Sequence, residues 1–365
     1  MQLSGGQIFW LMTTTEIGMC ILLSISPSIK EAGQDAWISI IIAGMAAMLI
    51  TGMSIKISLH FPNLTFVEYS QVILGKWIGK GILLIYFVKW YSILGAILRQ
   101  STDFLHLVLF NKTPLWLVIL LFVLILIYAI YHKGVESLAR CSEVIGPLIV
   151  LTIILVFILN WKSMDWQRLQ PVIADAGWSG IIKGSLPSMV FFSEATTIIM
   201  LVPFMIKSSD ALKRTLQAIA LVTGLLCIST IAIILTFGNL AAGMRYPYFT
   251  MTGFISILEF IQNIDAVVVI IWFFSVFVKL ALYLFMASYG TAQWLGIKNW
   301  RKMIWFVSLI GFVIAVAFRN VDQASIDYAS KYRLLIDFPL STILIPLLLW
   351  VVFLIRKRSL NKGAN

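Results

Sequence analysis

Ten windows of largely apolar residues constrain this 365-residue chain more than any other feature of it. They lie at roughly 7–29, 37–58, 81–103, 114–131, 142–160, 180–206, 215–238, 266–290, 303–319 and 338–355. A helix needs about 20 such residues to cross the hydrocarbon of a bilayer. Hydrocarbon offers no partners to backbone N–H and C=O groups, so segments of this kind cross it as helices. The reading is an all-α polytopic membrane protein, one domain over residues 1–365 with about ten transmembrane helices. Composition agrees, because only 12% of residues are charged where soluble domains carry about 25%.

The connections between windows are short. The longest, 161–179 and 239–265, leave no room for an independent domain, and residues 64–76 read as a short amphipathic or interfacial helix. The first window lacks a basic flank and a small-residue cleavage site and contains Glu16, so it reads as span one rather than a removed signal peptide. The net charge of +11 comes from basic residues scattered singly, which points to loops facing anionic lipid and excludes a nucleic-acid track. With both termini cytoplasmic, the inside connections and the polar tail 356–365 hold fifteen Lys and Arg, and the outside ones hold ten, Arg99 and Arg333 among them. That balance favours termini inside. Cys20, Cys141 and Cys227 form no disulfide or CxxC pattern, and His60, His106 and His132 are far apart, so neither a metal nor a cofactor is expected. Phosphate-binding, zinc-protease and nucleophile-elbow motifs are absent, so the chain does not read as an enzyme.

Five windows precede the 161–179 connection and five follow it. An odd-numbered repeat inserts its two copies with opposite topology, so the expectation is a five-plus-five inverted repeat over about 7–160 and 180–355. Each half opens on a window that carries a glutamate beside small hydroxyl residues: Thr13-Thr14-Thr15-Glu16 in span one and Ser193-Glu194-Ala195-Thr196-Thr197 in span six. A carboxylate at membrane depth costs several kcal/mol unless it is neutralised, paired or turned to a polar cavity, which makes both functional candidates. Gly18, Gly184, Pro187 and Pro203 lie near them and predict that spans one and six are broken close to the glutamates. The alternative for each acid is a carboxyl that caps its own broken helix.

Three further features stand out. Lys279 lies too deep in span eight to snorkel, which predicts an ion pair or a contact with span one, with its ammonium at a position where a coupled cation would otherwise bind. Lys89-Trp90-Tyr91 in span three read either as cavity lining or, slightly favoured, as an interface belt. Asp265 reads as an outer vestibule or loop-fixing acid, and Gly75/Gly79 and Gly180/Gly184 as weak signals of close helix packing.

The runs Gln34-Asp35-Ala36-Trp37, Phe61-Pro62, Thr65, Glu68, Gly75-Lys76-Trp77-Ile78-Gly79, Pro171, Gly177, Pro187, Phe191-Phe192, Glu194, Pro203, Tyr246-Pro247 and Trp272 through Lys279 resemble the spore germination permease family. One position departs from it: Asn263 stands where a basic residue is common. The resemblance implies the amino acid–polyamine–organocation transporter fold and the B subunit of a nutrient germinant receptor, working with A and C subunits in the spore inner membrane. It implies a small germinant, typically an amino acid, bound at mid-membrane between spans one and six. The expected shell is Thr14, Thr15, Glu16 and Gly18, with Phe192, Ser193, Glu194 and Thr197 opposite, Tyr91 beside them and Lys279 as the ion-site-like residue. The rival reading is a proton-coupled amino-acid transporter, or an ion or water channel, of the same fold.

Overall fold

The computed structural model describes residues 2–173, 175–254 and 264–362. Among them every regular element is helical, apart from one isolated parallel bridge between Leu3 and Met205. The helices are α1 (Gly5–Leu23), α2 (Ile25–Ala32), α3 (Ala36–Ser58), α4 (Phe66–Leu74), α5 (Lys76–Val108), α6 (Leu115–Leu159), α7 (Gly177–Phe192), α8 (Asp210–Phe237), α9 (Pro247–Thr252), α10 (Ile264–Leu295), α11 (Arg301–Ala317) and α12 (Ile345–Lys362). A 3-10 turn, Ser193–Met200, continues α7, and a π-helical segment, Gln323–Leu344, runs into α12.

Seven stretches are long and apolar enough to cross a bilayer: Gly5–Leu23, Ile25–Ser58, Lys76–Val108, Leu115–Leu159, Asp210–Gly243, Asp265–Leu295 and Gln323–Arg356. A straight helix of 45 residues would run about 68 Å, some twice the hydrocarbon thickness. Instead α6 bends at Gly134, whose φ of 65° and ψ of −170° no helix accepts, and the bend falls between the windows 114–131 and 142–160. The outer surface is apolar: Leu49, Trp77, Leu151, Leu309 and Leu354 are each more than half exposed. Charged side chains meanwhile lie inside, an arrangement that only a lipid solvent rewards.

Span one behaves differently from the expectation. Helix α1 begins at a capping box between Ser4 and Gln7 and continues without interruption through Glu16 and Gly18. The break comes at Ser24, two turns later, before α2. Gly18 does not unwind the helix; it lets α10 approach. A Cβ there would stand 2.4 Å from the Ser275 hydroxyl, and Trp272 Nε1 and Ser275 Oγ donate to the carbonyls of Gly18 and Thr14 at 2.9 and 2.6 Å. Gly180 and Gly184 serve in the same way, placing α7 against the Glu31 and Ser28 carbonyls of α2.

The last expected span starts too late by fifteen residues: helix begins at Gln323, not at 338. Asp327, Lys331, Arg333 and Asp337 depress hydropathy there, yet Arg333 and Asp337 point into the protein and Lys331 pairs with Asp327 one turn away at 2.8 Å. Arg99 is also interior, bonded to Asp103 at 2.9 Å. Neither arginine belongs to a loop, and Lys331 shares the helical segment of Arg333. The 64–76 helix is present as α4, closed by a capping box between Thr65 and Glu68. Asp265 accepts from the backbone of Ala266 at 2.9 Å and so fixes the start of α10. Asn263 lies outside the described residues. The polar tail continues α12, which extends to Lys362.

Candidate functional site

Pro187 inside α7 and Pro203 beyond it weaken regular winding on both sides of Glu194, and the chain tightens into the 3-10 turn at Ser193. Hydroxyls tie the turn down: Ser193 Oγ donates to the Val190 carbonyl at 2.6 Å and Thr196 Oγ1 to that of Ser193 at 2.7 Å. Glu194 is thereby turned inward and is 1% exposed.

Its carboxylate is held from two sides. Oε1 lies 2.6 Å from Arg333 Nη1, while Oε2 lies 2.7 Å from Lys279 Nζ and accepts from the Tyr283 hydroxyl at 3.1 Å. Arg333 also donates to the Val190 carbonyl at 2.7 Å and stacks its guanidinium over Phe191 at 5.4 Å. One turn along the π-helical segment, Asp337 accepts from Ser341 Oγ at 2.7 Å. Lys89 of α5 in turn donates to Ser341 at 2.9 Å and lies 3.9 Å from Asp337.

Glu16, Lys89, Glu194, Lys279, Arg333 and Asp337 are each at most 4% exposed. Three are acidic and three basic, so the buried network is formally neutral. Isolated, each charge would cost several kcal/mol at this depth; together they satisfy one another. Glu16 is the exception in geometry. Its nearest charges are Lys279, Glu194, Arg333 and Lys89, yet it makes no ion pair within 4.0 Å, and its Oε2 has no hydrogen-bond partner among the described residues. The hydroxyl of Thr14 is also buried and without a partner.

The remaining expected residues divide. Phe192, Ser193 and Thr197 are buried in or beside the 3-10 turn, but the Ser193 hydroxyl is used on Val190 and that of Thr15 on Met12 at 3.1 Å. Tyr91 bonds Thr291 and stacks on Phe87, and among the described residues it makes no hydrogen bond to either glutamate. Lys89 and Trp90 are buried, so the run 89–91 is not an interface belt; Lys89 faces the polar seam against Ser341. Lys279 does form an ion pair, with Glu194 of span six rather than with span one. Sequence reasoning missed Arg333 and Asp337. The legible signal was the four-residue spacing of Arg333, Asp337 and Ser341, which puts polar groups on one side of a helix that a hydropathy window discards.

A cavity of about 680 Å³ opens between α2, α7 and the π-helical segment, with Lys30, Lys183, Phe191, Ser325, Ser330 and Leu334 on its walls. Val190 and Phe191, which hold Arg333 from one side, line it from the other. Arg245 and Asp322 also line it and pair with each other at 2.5 Å.

A family model described as "Spore germination protein" matches residues 2–324. Spore germination protein YndE of Bacillus subtilis (strain 168) is 26% identical over 345 residues, covering 93% of each chain. Spore germination protein KB of the same organism is 26% identical over 372 residues, 99% of this chain and 97% of the relative. Spore germination protein GerQB of Bacillus cereus is 26% identical over 330 residues, 89% of each. Among solved structures, a Na⁺-coupled sialic acid symporter in a substrate-bound outward-open state superposes with TM-score 0.68 at 13% identity over 86% of this chain and 74% of its own. MhsT in complex with L-phenylalanine gives 0.65 at 14% identity over 95% and 88%. At such identities the likeness establishes the fold alone: a multi-pass, all-helical transporter architecture with broken first and sixth spans.

Proposed function

This chain belongs to the spore germination protein family, and on that premise we propose that it is the ligand-sensing B subunit of a nutrient germinant receptor. It works with A and C subunits in the spore inner membrane, both termini cytoplasmic, and binds a small germinant, an amino acid in the simplest case. The ligand is received between α2 and α7 and recognised at the level of Glu194 and Glu16. The observation that carries this reading is a carboxylate on a broken helix, held between Arg333 and Lys279 at 2.6 and 2.7 Å, behind the Val190 and Phe191 wall of a cavity of about 680 Å³. Occupancy of such a site biases one conformation over another, and partner subunits read that bias.

A neutral charge network that already contains an ammonium has no vacancy for a coupled cation, which favours sensing over sodium-driven uptake. The unpartnered Oε2 of Glu16 keeps a proton-coupled transporter as the second reading. Proteoliposomes holding only this chain separate the two: concentrative uptake of labelled amino acids supports transport, while binding without uptake supports the sensor. The direct test of the receptor reading is a nutrient screen on spores with and without the gene, and identical germination of both overturns it.

Glu16→Gln supplies a finer prediction. The substitution leaves every ion pair intact but removes the carboxyl oxygen that has no partner among the described residues, so the chain should accumulate normally and need more ligand. Truncating one partner of a desolvated charge interaction costs roughly 2–5 kcal/mol, so half-maximal germination should require at least about 30-fold more nutrient. An unchanged dose–response curve removes Glu16 from the site.

A further inference from the structure

Four ion pairs among the described residues join different elements, and three of them start from one stretch of chain: Asp322 to Arg245, Arg333 to Glu194, and Asp337 to Lys89. That stretch is the π-helical segment Gln323–Leu344 with the residue before it. A π-helix of 22 residues is an unusual conformation, since π-winding otherwise occurs as single turns at functional positions. The segment is thus clasped at three levels in a winding that the backbone alone does not favour.

The middle clasp has a specific chemistry. Arg333 meets a carboxylate oxygen, a backbone carbonyl at the helix break and an aromatic face, namely Glu194 Oε1, Val190 O and Phe191. Those three groups are what a binding site presents to an ammonium or a guanidinium. The fit is incomplete, because Arg333 Nε is buried without a partner.

We propose that Arg333 is a tethered stand-in at a site for the cationic group of a ligand, and that binding expels it and frees the 323–344 segment. The proposal deepens the receptor reading and rests on it. Charge balance selects the ligand. Lys279 stays on Oε2 of Glu194, so an arriving ammonium or guanidinium replaces Arg333 charge for charge and the buried network remains neutral. A ligand without a cationic group would take Arg333 away and leave the carboxylate with one cation fewer. The expelled guanidinium has somewhere to go, since the next residue, Leu334, lines the water-accessible cavity together with Ser330 and Glu31.

The test uses spores carrying the full receptor. Arg333→Lys keeps the charge but loses the fork and the stacking, so its half-maximal nutrient concentration should fall at least tenfold. Damage to a merely structural residue would raise that concentration instead. Arg333→Ala removes the tether and should germinate at least tenfold faster than wild type with no nutrient present. An accumulated Arg333→Ala chain as quiescent as wild type overturns the proposal, and so does an Arg333→Lys chain with an unchanged or raised threshold. In wild-type spores the probes are a mixture of amino acids, their amides and their N-acetyl derivatives. Amides, which keep the cation, should act, and N-acetyl forms, which lack it, should not. If the response requires this chain but N-acetyl forms act equally, the assignment of Arg333 falls and the receptor reading stands. If spores without the chain respond as well as those with it, the receptor reading falls first. Should the variants fail to accumulate, hydrogen exchange of residues 323–344 in the wild-type protein decides: it should rise on adding the amino-acid mixture, and no change overturns the proposal.

Discussion

Glu194→Gln should abolish nutrient-dependent germination and destabilise the chain by about 3–5 kcal/mol, the cost of breaking a buried ion pair from one side. The amide is nearly isosteric and can still accept one bond, so packing is not the issue. What is lost is the only charge among the described residues within 4.0 Å of either Lys279 or Arg333, both at most 3% exposed. Two cations are then left at membrane depth, with Glu16 the remaining acid that acts on Lys279 and Asp337 the one that acts on Arg333. Lower accumulation in spore membranes and a depressed unfolding midpoint of the detergent-purified chain are the expected readouts. Glu194→Asp keeps the charge but withdraws it by one methylene, and should fall between the two. A Gln variant with wild-type stability would show that the network does not hold the break closed.

Gly18→Val should be comparably severe for a different reason. Its first methyl-bearing carbon would stand 2.4 Å from Ser275 Oγ and 3.5 Å from Val276, so α1 and α10 must part. Overpacking of this kind costs about 1–3 kcal/mol, and a β-branched side chain on a close helix contact adds to it. Parting the helices also breaks the bonds from Ser275 and Trp272 to the α1 backbone and shifts Lys279, one turn further along α10, away from Glu194. The expected result is a chain that accumulates poorly and fails to germinate with nutrient. Gly18→Ala, for which the Ser275 hydroxyl must rotate off the Thr14 carbonyl and its Cβ at 3.1 Å must give by a few tenths of an ångström, should be milder. Equal behaviour of Val and wild type would refute the packing role of Gly18.

The alternation of apolar windows and short polar connections was enough to read the fold class. Glu16, Glu194 and Lys279 were legible as buried charges because a charge inside an apolar window is conspicuous whatever it touches. Arg333 and Asp337 were not, for the same physical reason inverted. They lie in a stretch polar enough to pass for a loop, and only burial of its charged side against Glu194 and Lys89 makes it a membrane-depth helix. The break in span one was misplaced because glycine near a buried acid has two uses, unwinding and close approach. Which applies depends on whether another helix is there, and α10 is.

By itself the sequence determined the solvent of this protein, its helical character and which acids must be neutralised, because transfer of backbone and charge into hydrocarbon depends on residue type and local order alone. Only the tertiary structure decided who neutralises them. Glu194 takes Arg333 from 139 residues away and Lys279 from 85, and Glu16 is left with an unpartnered oxygen. Charge pairing acts through space over a few ångströms, and positions so remote in sequence become neighbours only once the helices have packed.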